Sequence, residues 1–579
     1  MLSKKWLLKP EPNNETVDQL EQRLGIHKSI CQLLAQRGHD SFDKAKHFFR
    51  PTKHQVNDPM LMKNMDEAVQ RIKNAIEGNE KILVYGDYDV DGTTAVAMVY
   101  LFFKEYHQNI SYYIPDRHAE GYGISFKSID FAKENNIQLI IALDCGIKAI
   151  KEINYAKDKG IDYIICDHHL PGNTIPNGVI LNPKQKECKY PFKELSGAGI
   201  GFKLIQGFCK KNKIDIQAAN ENIDLLAVSI GADMVPVIEE NRVLALNGIE
   251  KLNNKPNVGV RAILTTAKIN HSVNMRDIGF TIGPIINAAG RVSKASKAVE
   301  LLTTSSKDSA KNVSEEVSLD NIDRRLLDKQ ITKEALSILL SESSHQNKKS
   351  TVVYSETWNK GVLGIVCNRI QEHYYRPTIV LTKSGDEYTG SARSVKGFNI
   401  YNAIHSSSEV LETFGGHKYA AGLTVKSQNL KKFIRRFEQV IEKTIQKEHL
   451  VPTIEIDIEL PINEIKNGFF KILNQFEPFG VGNEQPIFKC TSVKVVKGTL
   501  RVLGNKHLKM EIMETNNPKL RIPSIAFNQI KHFDYISKGN SFDICYSLEV
   551  NQWKGSRTLQ ANIRDIRKSK YNLNSVQRN

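Results

Sequence analysis

Five short apolar runs alternate with helical stretches between residues 64 and 249, and this alternation constrains the fold more than any other feature of the chain. The runs are Lys81–Tyr85, Ser111–Ile114, Leu139–Leu143, Tyr163–Cys166 and Gly178–Leu181. Strands separated by helices predict an α/β domain with a doubly wound parallel sheet. In such a sheet a ligand binds beyond the carboxyl ends of the strands.

A chain of 579 residues is too long for one hydrophobic core, so several domains are expected. Val313, Val317, Ile322, Leu326, Ile331 and Leu336 recur at helical spacing and predict a long helix over Asp308–Leu340. Beyond it, strands near Thr351–Tyr354 and Thr378–Leu381 indicate a second α/β unit, and short alternating strands from Val451 indicate a small β-barrel. The predicted domains are an N-terminal helical segment (1–60), the parallel-sheet domain (61–250), a connecting segment with the long helix (251–345), a smaller α/β domain (346–448) and an OB-like barrel (449–570).

Carboxylates and histidines follow the strands of the first sheet directly. They are Asp87, Asp89 and Asp91 after the first run, Asp144 after the third, and Asp167, His168 and His169 after the fourth; Asp233 is a further candidate. A single aspartate in such a place is usually a helix cap or a turn former, and a histidine pair is usually a surface or core feature. So many acidic side chains at one edge would repel one another unless a cation neutralised them.

The composition of this cluster indicates which cation it binds. Oxygen ligands with one or two imidazoles and no sulfur suit Mn²⁺ or Mg²⁺ better than structural zinc. Two adjacent ions sharing a bridging aspartate would activate a water and stabilise the oxygen displaced from a phosphate ester. The sequence therefore predicts a two-ion site for phosphoryl chemistry, without identifying the substrate.

Charge and cysteine content indicate the class of partner and the cellular compartment. The formal charge is +16 with a pI near 9.2, and from Val451 onward 19 Lys and Arg face 12 Asp and Glu, a net of +7. Such a balance favours a polyanionic partner such as nucleic acid. The eight cysteines are dispersed without a CxxC pair, which argues against a zinc ribbon and against a secreted disulfide scaffold. We expect a cytoplasmic protein with no signal peptide and no membrane anchor.

The strand-end residues resemble the motifs of the DHH phosphoesterase superfamily, named for the motif present here as Asp167-His168-His169. Asp89-Val90-Asp91, Asp144-Cys145-Gly146 and Gly231-Ala232-Asp233 resemble its other motifs, although many relatives carry Asn in place of Cys145. The resemblance implies that Asp89, Asp91, Asp144, His168 and Asp233 hold the metals and take part in catalysis. His169 would either complete the second ion or stabilise the phosphate, and Asp87 would be a ligand or act from behind the ligands.

The segment Phe414–Gly422 resembles the signature of the associated DHHA1 domain, and Gly390–Ser394 resembles that domain's phosphate-contacting strand. The resemblance implies that Ser391, Arg393, Gly415, Gly416 and His417 bind substrate. Small residues admit a phosphate close to the backbone, and an arginine binds its oxygens in a bidentate manner. The alternatives are a plain tight turn for the glycines and a structural role for the histidine.

Within the superfamily, four segments resemble the RecJ exonucleases: Arg117–Gly123, Gly283–Arg291, and Glu477–Phe488 and Asn551–Gly555 at the start and end of the OB domain. Arg117, Asn287 and Arg291 would then bind substrate, with the arginines at the 5′-terminal phosphate and the adjoining backbone. Arg291 could instead form a surface salt bridge. Phe527 and Trp553 are either base-stacking platforms or barrel core.

The resemblance implies a 5′→3′ exonuclease specific for single-stranded DNA that releases 5′-mononucleotides in DNA repair and recombination. It further implies a monomer whose partners include a single-strand-binding protein and a helicase, with no membrane partner. The main alternative is a DHH phosphodiesterase of short oligonucleotides or cyclic dinucleotides, a class that generally lacks the OB segment. A catalytically inactive scaffold or an inorganic pyrophosphatase of the superfamily fits less well, because the ligand carboxylates and the Gly415-Gly416-His417 pattern are both present.

Overall fold

The computed structural model of the protein describes residues 3–117, 119–553 and 556–569. They form two compact units. One contains the chain up to Pro51, Lys447–Glu477 and the residues from Asn483 onward, and the other contains Thr52–Gln446 and Pro478–Gly482. No helix in the described ranges combines the length and the apolar character needed to cross a membrane.

The N-terminal segment contributes one strand and three helices: β1 (Lys5–Leu8), α1 (Asn14–Leu24), α2 (Lys28–Gln36) and α3 (Phe42–Phe49). Each helix begins at a side chain that accepts a hydrogen bond from its first turn: Asn13, His27 and Ser41.

The parallel sheet predicted from the alternating pattern is present. Its elements are α4 (Met65–Glu77), β2 (Ile82–Gly86), α5 (Val90–Lys104), β3 (Ile110–Tyr113), α6 (Phe126–Glu134), β4 (Leu139–Leu143), α7 (Ile150–Asp158), β5 (Asp162–Cys166), β6 (Val179–Leu181), α8 (Gly197–Asn212), α9 (Ile223–Asp233) and α10 (Glu239–Asn254). The strand order is β3-β2-β4-β5-β6 with every pair parallel. Since β2 lies between β3 and β4, the winding changes direction at the carboxyl end of β2.

Both faces of this sheet are covered, which explains the continuous apolar character of its central strands. All residues of β2 and β4 are buried. Leu139, Ile141 and Leu143 pack into one core, and the alternate residues Ile140 and Ala142 pack into another. The carboxyl edge is thereby fixed by two hydrophobic layers.

A helical segment follows: α11 (Val258–Thr266), α12 (Met275–Asp277), α13 (Gly283–Val292), α14 (Ser296–Thr303) and the 35-residue α15 (Lys307–Ser341). The long helix agrees with the predicted Asp308–Leu340, but the predicted apolar face is partly wrong. Ile322 and Leu326 are 52% and 61% exposed. They lie on the side of α15 opposite the buried stripe that contains Val317, Asp328 and Ile331, because the 3.6-residue period separates the two sets.

The second α/β unit is also present. Its elements are β7 (Thr351–Ser355), α16 (Leu363–Tyr374), β8 (Thr378–Ser384), β9 (Glu387–Arg393), α17 (Ile400–His405), β10 (Thr413–His417), β11 (Ala420–Lys426) and α18 (Leu430–Thr444). The sheet order is β10-β11-β9-β8-β7, with only β7 and β8 parallel among these pairs. Gly415 and Gly416 lie in β10, whose pairing of His417 with Ala420 makes a two-residue hairpin turn.

The C-terminal part forms a mostly antiparallel sheet. Its elements are β12 (Thr453–Ile456), β13 (Ile458–Glu459), α19 (Asn467–Leu473), β14 (Phe488–Val495), β15 (Arg501–Leu503), β16 (His507–Glu514), β17 (Ile522–Ala526), α20 (Phe533–Ser537), β18 (Phe542–Trp553) and β19 (Ser556–Lys568). Three residue pairs between β14 and β16 join the ends of the order β14-β18-β19-β17-β16. The predicted barrel is therefore only partly closed. Lys554, Gly555 and the side chain of Trp553 lie outside the described residues.

The N-terminal segment packs on this C-terminal sheet, which the sequence did not predict. Strand β1 pairs in parallel with β12. The Trp6 indole donates a hydrogen bond of 2.8 Å to Asp565, and Arg567 lies over the Trp6 ring. The first and last parts of the chain thus share one unit.

Candidate metal centre

The carboxyl ends of β2, β4 and β5 bring the predicted acidic and histidine residues together. Asp89 caps α5 by accepting a hydrogen bond of 3.1 Å from the Gly92 backbone N–H. Asp144 has a left-handed backbone with φ of 60° and donates its N–H to the Cys166 carbonyl. Residues other than glycine seldom adopt this backbone conformation, and those that do are frequently found at functional sites.

Asp91 is held rigidly by the N-terminus of α8. Its two carboxylate oxygens accept hydrogen bonds from the backbone N–H groups of Gly197 (2.6 Å) and Ala198 (2.8 Å) and from the Ser229 hydroxyl (2.7 Å). A side chain at Gly197 would place its Cβ 2.5 Å from the Asp144 Cβ. The helix therefore approaches Asp91 and Asp144 as closely as it does only because residue 197 is glycine.

Two groups of ligand atoms form here, and His168 belongs to both. One group contains Asp144, His168 and His169, and the other contains Asp91, His168 and Asp233. The His168 Nε2 atom lies 3.2 Å from Asp144 Oδ1, 3.7 Å from Asp233 Oδ2 and 3.8 Å from Asp91 Oδ2. This histidine is common to both groups, and an aspartate that bridges two ions stays a prediction.

The electrostatics of the cluster are those of carboxylates held too close together. Burial, followed by the charges of neighbouring aspartates, raises the pKa of Asp87, Asp89 and Asp144, and raises that of Asp233 to about 9. Burial also lowers the pKa of His168 and so favours the neutral imidazole that binds metals. Asp87 Oδ1 and Asp144 Oδ1 are buried without a hydrogen bond.

This donor set fits a hard divalent cation. A cation would satisfy the two carboxylate oxygens that lack hydrogen bonds, and it would offset the burial and the repulsion that together raise the four aspartate pKa values. Among the described residues, Asp87 and Asp89 fall outside both three-residue groups. Each follows β2 beside the cluster. A carboxylate there can bind an ion directly, or it can orient another residue that binds the ion.

Asp167, the first residue of the DHH motif, orients His169. Its Oδ1 atom accepts hydrogen bonds from the His169 Nδ1 atom (2.7 Å) and backbone N–H (3.0 Å), and its Oδ2 atom accepts one from the Ile147 N–H (2.9 Å). Although burial opposes both shifts, this contact lowers the pKa of Asp167 and raises that of His169. The Nδ1 atom is thereby occupied, and Nε2 lies 3.2 Å from the hydroxyl of Tyr122.

The predicted substrate-binding residues fall into two places. Arg117 lies over the Tyr88 ring, with its guanidinium 4.9 Å from the ring centroid. Arg393 and Ser391, on β9, lie next to Gly364 at the start of α16. Burial, then the positive charges of Arg393 and His169, lower the pKa of His417. The hairpin of the second sheet therefore lies within electrostatic range of the DHH motif.

Two of the predicted substrate-binding residues make contacts within the protein. The Asn287 side-chain oxygen accepts a hydrogen bond of 3.1 Å from the Val90 N–H, next to Asp89. Arg291 donates a hydrogen bond of 3.0 Å to the Gly361 carbonyl, so it does not form the surface salt bridge considered as its alternative. Gly416 has φ of 141° and Gly415 is exposed on the hairpin.

Sequence reasoning missed several residues that position the site. Ser229 and the first turn of α8 hold Asp91, and Tyr122 donates to the Asp144 carbonyl. The buried Asn182, after β6, donates to the His169 carbonyl. The glycine-rich start of α8, Gly197–Gly201, was the one available sequence signal, since small residues at a helix start permit close approach.

Comparison with known proteins identifies the family. Three family models match: the DHH family N-terminal domain at residues 81–230, the DHHA1 domain at 329–443 and the RecJ OB domain at 456–565. The chain is 33% identical over 568 residues to the single-stranded-DNA-specific exonuclease RecJ of Bacillus subtilis, covering 97% of this chain and 71% of that protein. It is 31% identical to RecJ of Salmonella typhimurium, with 87% and 90% covered. The chain belongs to the RecJ family.

The RecJ fold agrees with this assignment. The crystal structure of RecJ from Thermus thermophilus in complex with Mn²⁺ matches with a TM-score of 0.82 at 24% identity, covering 98% of this chain and 80% of that one. The α/β DHH domain, the DHHA1 domain and the C-terminal OB domain of this RecJ-family chain are thus confirmed, although its barrel is only partly closed.

Proposed function

We propose that this protein is an exonuclease specific for single-stranded DNA that works from the 5′ end and releases 5′-mononucleotides with the help of divalent metal ions. The observation that carries the proposal is the cluster of Asp91, Asp144 and Asp233 around His168 Nε2 at the carboxyl edge of the parallel sheet. The relatives named as single-stranded-DNA-specific exonucleases, and the RecJ structure with Mn²⁺, support the substrate and the cofactor.

The metal-binding residues in this proposal are Asp89, Asp91, Asp144, His168 and Asp233, with Asp87 beside them. Two Mn²⁺ or Mg²⁺ ions bound there would supply an activated water and stabilise the leaving oxygen. Hydrogen bonds from the first turn of α8 hold Asp91 in position, and the neutral ring of His168 can bind a metal with the lone pair of its nitrogen.

His169 acts on the phosphate rather than on an ion in this proposal. Its Nδ1–H donates to Asp167, and the same contact favours the protonated ring. A cationic imidazole with its Nε2–H directed away from Asp167 can donate to a phosphate oxygen, where negative charge increases during cleavage. The hydroxyl of Tyr122, 3.2 Å from Nε2, limits the direction of that donor.

The end of the strand is bound by cationic and small residues from both sheets. We assign Arg117, Arg291, Ser391 and Arg393 to the 5′-terminal phosphate, with Asn287 next to Asp89 at the same edge. Gly415, Gly416 and His417 on the hairpin would contact the adjoining backbone, where a side chain larger than glycine would obstruct a phosphate. A bound terminal phosphate places the next phosphodiester at the metal site, which yields mononucleotides.

The net charge and the domain composition support the proposed partners and compartment. A net charge of +16 favours a polyanionic strand, and the OB domain gives it a second binding surface. Phe527, 45% exposed at the end of β17, is available for base stacking. We expect a cytoplasmic monomer acting in repair and recombination with a single-strand-binding protein and a helicase.

Cleavage of short oligonucleotides or cyclic dinucleotides is not favoured, because the RecJ OB model matches residues 456–565. The test uses 5′-phosphorylated, 3′-labelled single strands and matched duplexes with Mn²⁺, together with strands blocked at the 5′ end. Asp144→Ala and His168→Ala serve as inactive controls. Stepwise shortening of unblocked single strands alone supports the proposal, whereas rapid cleavage of dinucleotides without cleavage of long strands contradicts it.

A further inference from the structure

The long helix α15 places an arginine in its buried stripe. Arg324 lies four residues from the fully buried Asp328 and seven from the fully buried Val317, on the same side of the helix, yet its own side chain is only half-buried. The next residue, Arg325, is turned by about 100° and is exposed. A buried stripe rarely carries a cation unless the cation has a partner.

The neighbours of Arg324 on this stripe fix where it lies. One turn before it, the carboxylate of Asp320 accepts a hydrogen bond of 2.6 Å from Ser293, two residues after Arg291. One turn after it, Asp328 pairs at 2.6 Å with Arg369 of α16. Arg324 is therefore located where α15 meets both the end of α13 and helix α16.

Two elements that carry the proposed terminal-phosphate residues, α13 and β9, meet at this junction. Arg291 donates to the Gly361 carbonyl, and a Cβ on Gly361 would lie 2.4 Å from the Arg291 carbonyl. Two residues into α16, a Cβ on Gly364 would lie 3.0 Å from Arg393 Nη2 and 3.4 Å from Ser391 Oγ. The turn at Gly361 and the start of α16 thus link Arg291 to Arg393.

These arginines have no carboxylate within 4 Å in the described part of the chain, although Asp328 and Asp89 attract Arg324 and Arg291 from further away. Arg117, Arg291, Arg324 and Arg393 make no ion pair within 4 Å there; Arg324 donates only to the Asn321 side-chain oxygen, at 3.0 and 3.1 Å. Burial, then the charges of Arg117, Arg324 and Arg393, lower the pKa of Arg291 to about 10. Arg117, Arg324 and Arg393 all lie near enough to Arg291 to repel it, and such a group of cations favours a multiply charged anion.

We propose that Arg324 binds the 5′-terminal phosphate, so that the connecting helix contributes to substrate recognition as well as joining the two sheets. This inference rests on the proposed function. A terminal phosphate monoester carries about two negative charges, one more than an internal phosphodiester, and it can accept bidentate hydrogen bonds from several guanidinium groups. The Asp328–Arg369 pair fixes the turn of α15 that presents Arg324.

The test compares Arg324→Gln, Arg324→Lys and the matched control Arg325→Gln in the full-length protein. The substrates are one single strand with a 5′-phosphate and the same strand with a 5′-hydroxyl. Arg324→Gln should raise KM for the phosphorylated strand by about tenfold, the change expected for one charge-assisted contact, and leave kcat and the hydroxyl strand nearly unchanged. Arg324→Lys should recover part of the loss, and Arg325→Gln should behave as wild type.

An unchanged preference for the 5′-phosphate in Arg324→Gln would overturn the inference, as would an equal loss on both strands. If Arg324→Gln lowers Tm, the two strands are compared at a temperature well below the Tm of the variant, where an unchanged preference for the 5′-phosphate overturns the inference. Failure of the proposed function is distinguishable, since the wild-type protein would then show no digestion from the 5′ end.

Discussion

Asp167 illustrates how single residues prepare the site without binding the ions. It accepts two hydrogen bonds from His169 and one from Ile147, and the sequence motif alone does not separate this role from metal binding. Substitution by Asn keeps the shape but removes the charge that holds the Nδ1 proton. We expect Asp167→Asn to lower kcat by about 10- to 100-fold with little change in Mn²⁺ affinity. Calorimetric Mn²⁺ titration beside steady-state kinetics checks this; a large loss of Mn²⁺ affinity would instead make Asp167 a ligand.

Gly197 is the residue whose size sets the distance between α8 and two of the aspartates. An added Cβ would lie 2.5 Å from the Asp144 Cβ, so Gly197→Ala must shift either Asp144 or the helix start that holds Asp91. We expect activity to fall by at least about 100-fold, since catalytic geometry tolerates displacements below about 1 Å. Gly468→Ala, where an added Cβ meets nothing within 4 Å, serves as the control. Equal activity of the two variants would contradict the role given to Gly197.

The sequence predicted which acidic and histidine residues gather at this edge of the sheet, but not their contacts. Asp144, His168 and Asp233 follow recognisable strand or helix ends, where periodicity and motif agree. Ser229 lies within an apolar helix, and its hydroxyl faces Asp91 only because α9 packs beside α5. Such side chains carry no local signal, because tertiary packing alone makes them part of the site.

At the scale of elements, strand and helix positions were predictable wherever burial imposes a period. The five parallel strands and α15 agree with the sequence within a few residues. The sequence pattern predicted the buried face of α15 less well, since it included Ile322 and Leu326, which are apolar but exposed. An apolar residue on a helix indicates burial only where its neighbours at helical spacing pack against a partner.

The polar segment after α15 contains a buried histidine. His345 is 2% exposed, and Arg376 donates a hydrogen bond to its Nε2. Burial, then the charge of Arg376, lower the pKa of His345 from 6.5 to about 4. The unfolded chain therefore binds a proton between pH 6.5 and 4 that the folded protein does not bind.

Stability should consequently fall as the pH is lowered through this window. The contribution is complete above pH 6.5 and is lost as the pH approaches 4, a change on the order of 2 kcal/mol. His345→Gln should remove this part of the pH dependence, as measured by Tm at several pH values against wild type. Parallel pH profiles for the two proteins would contradict the assignment.

For the whole molecule, the two compact units predict how the chain tolerates truncation. The first 51 residues belong with the C-terminal sheet through the β1–β12 pairing and the contact of Trp6 with Asp565. A fragment of residues 52–446 should therefore remain folded, whereas a fragment of 1–446 should expose the apolar faces of α1–α3 and aggregate. Size-exclusion chromatography of both fragments checks this; equal behaviour would contradict the shared unit. The domain boundaries proposed from the sequence treat the first 60 residues separately and stay a prediction.

The product of the first turnovers decides whether this metal centre cuts single strands from the 5′ end. A 5′-phosphorylated single strand is digested with Mn²⁺ by the wild-type protein and by Asp144→Ala, and the released species are identified by mass. We expect 5′-mononucleotides from the wild type, at a rate reduced at least about 1,000-fold in the variant. Internal fragments as the first products, or equal release by Asp144→Ala, would contradict the proposed function.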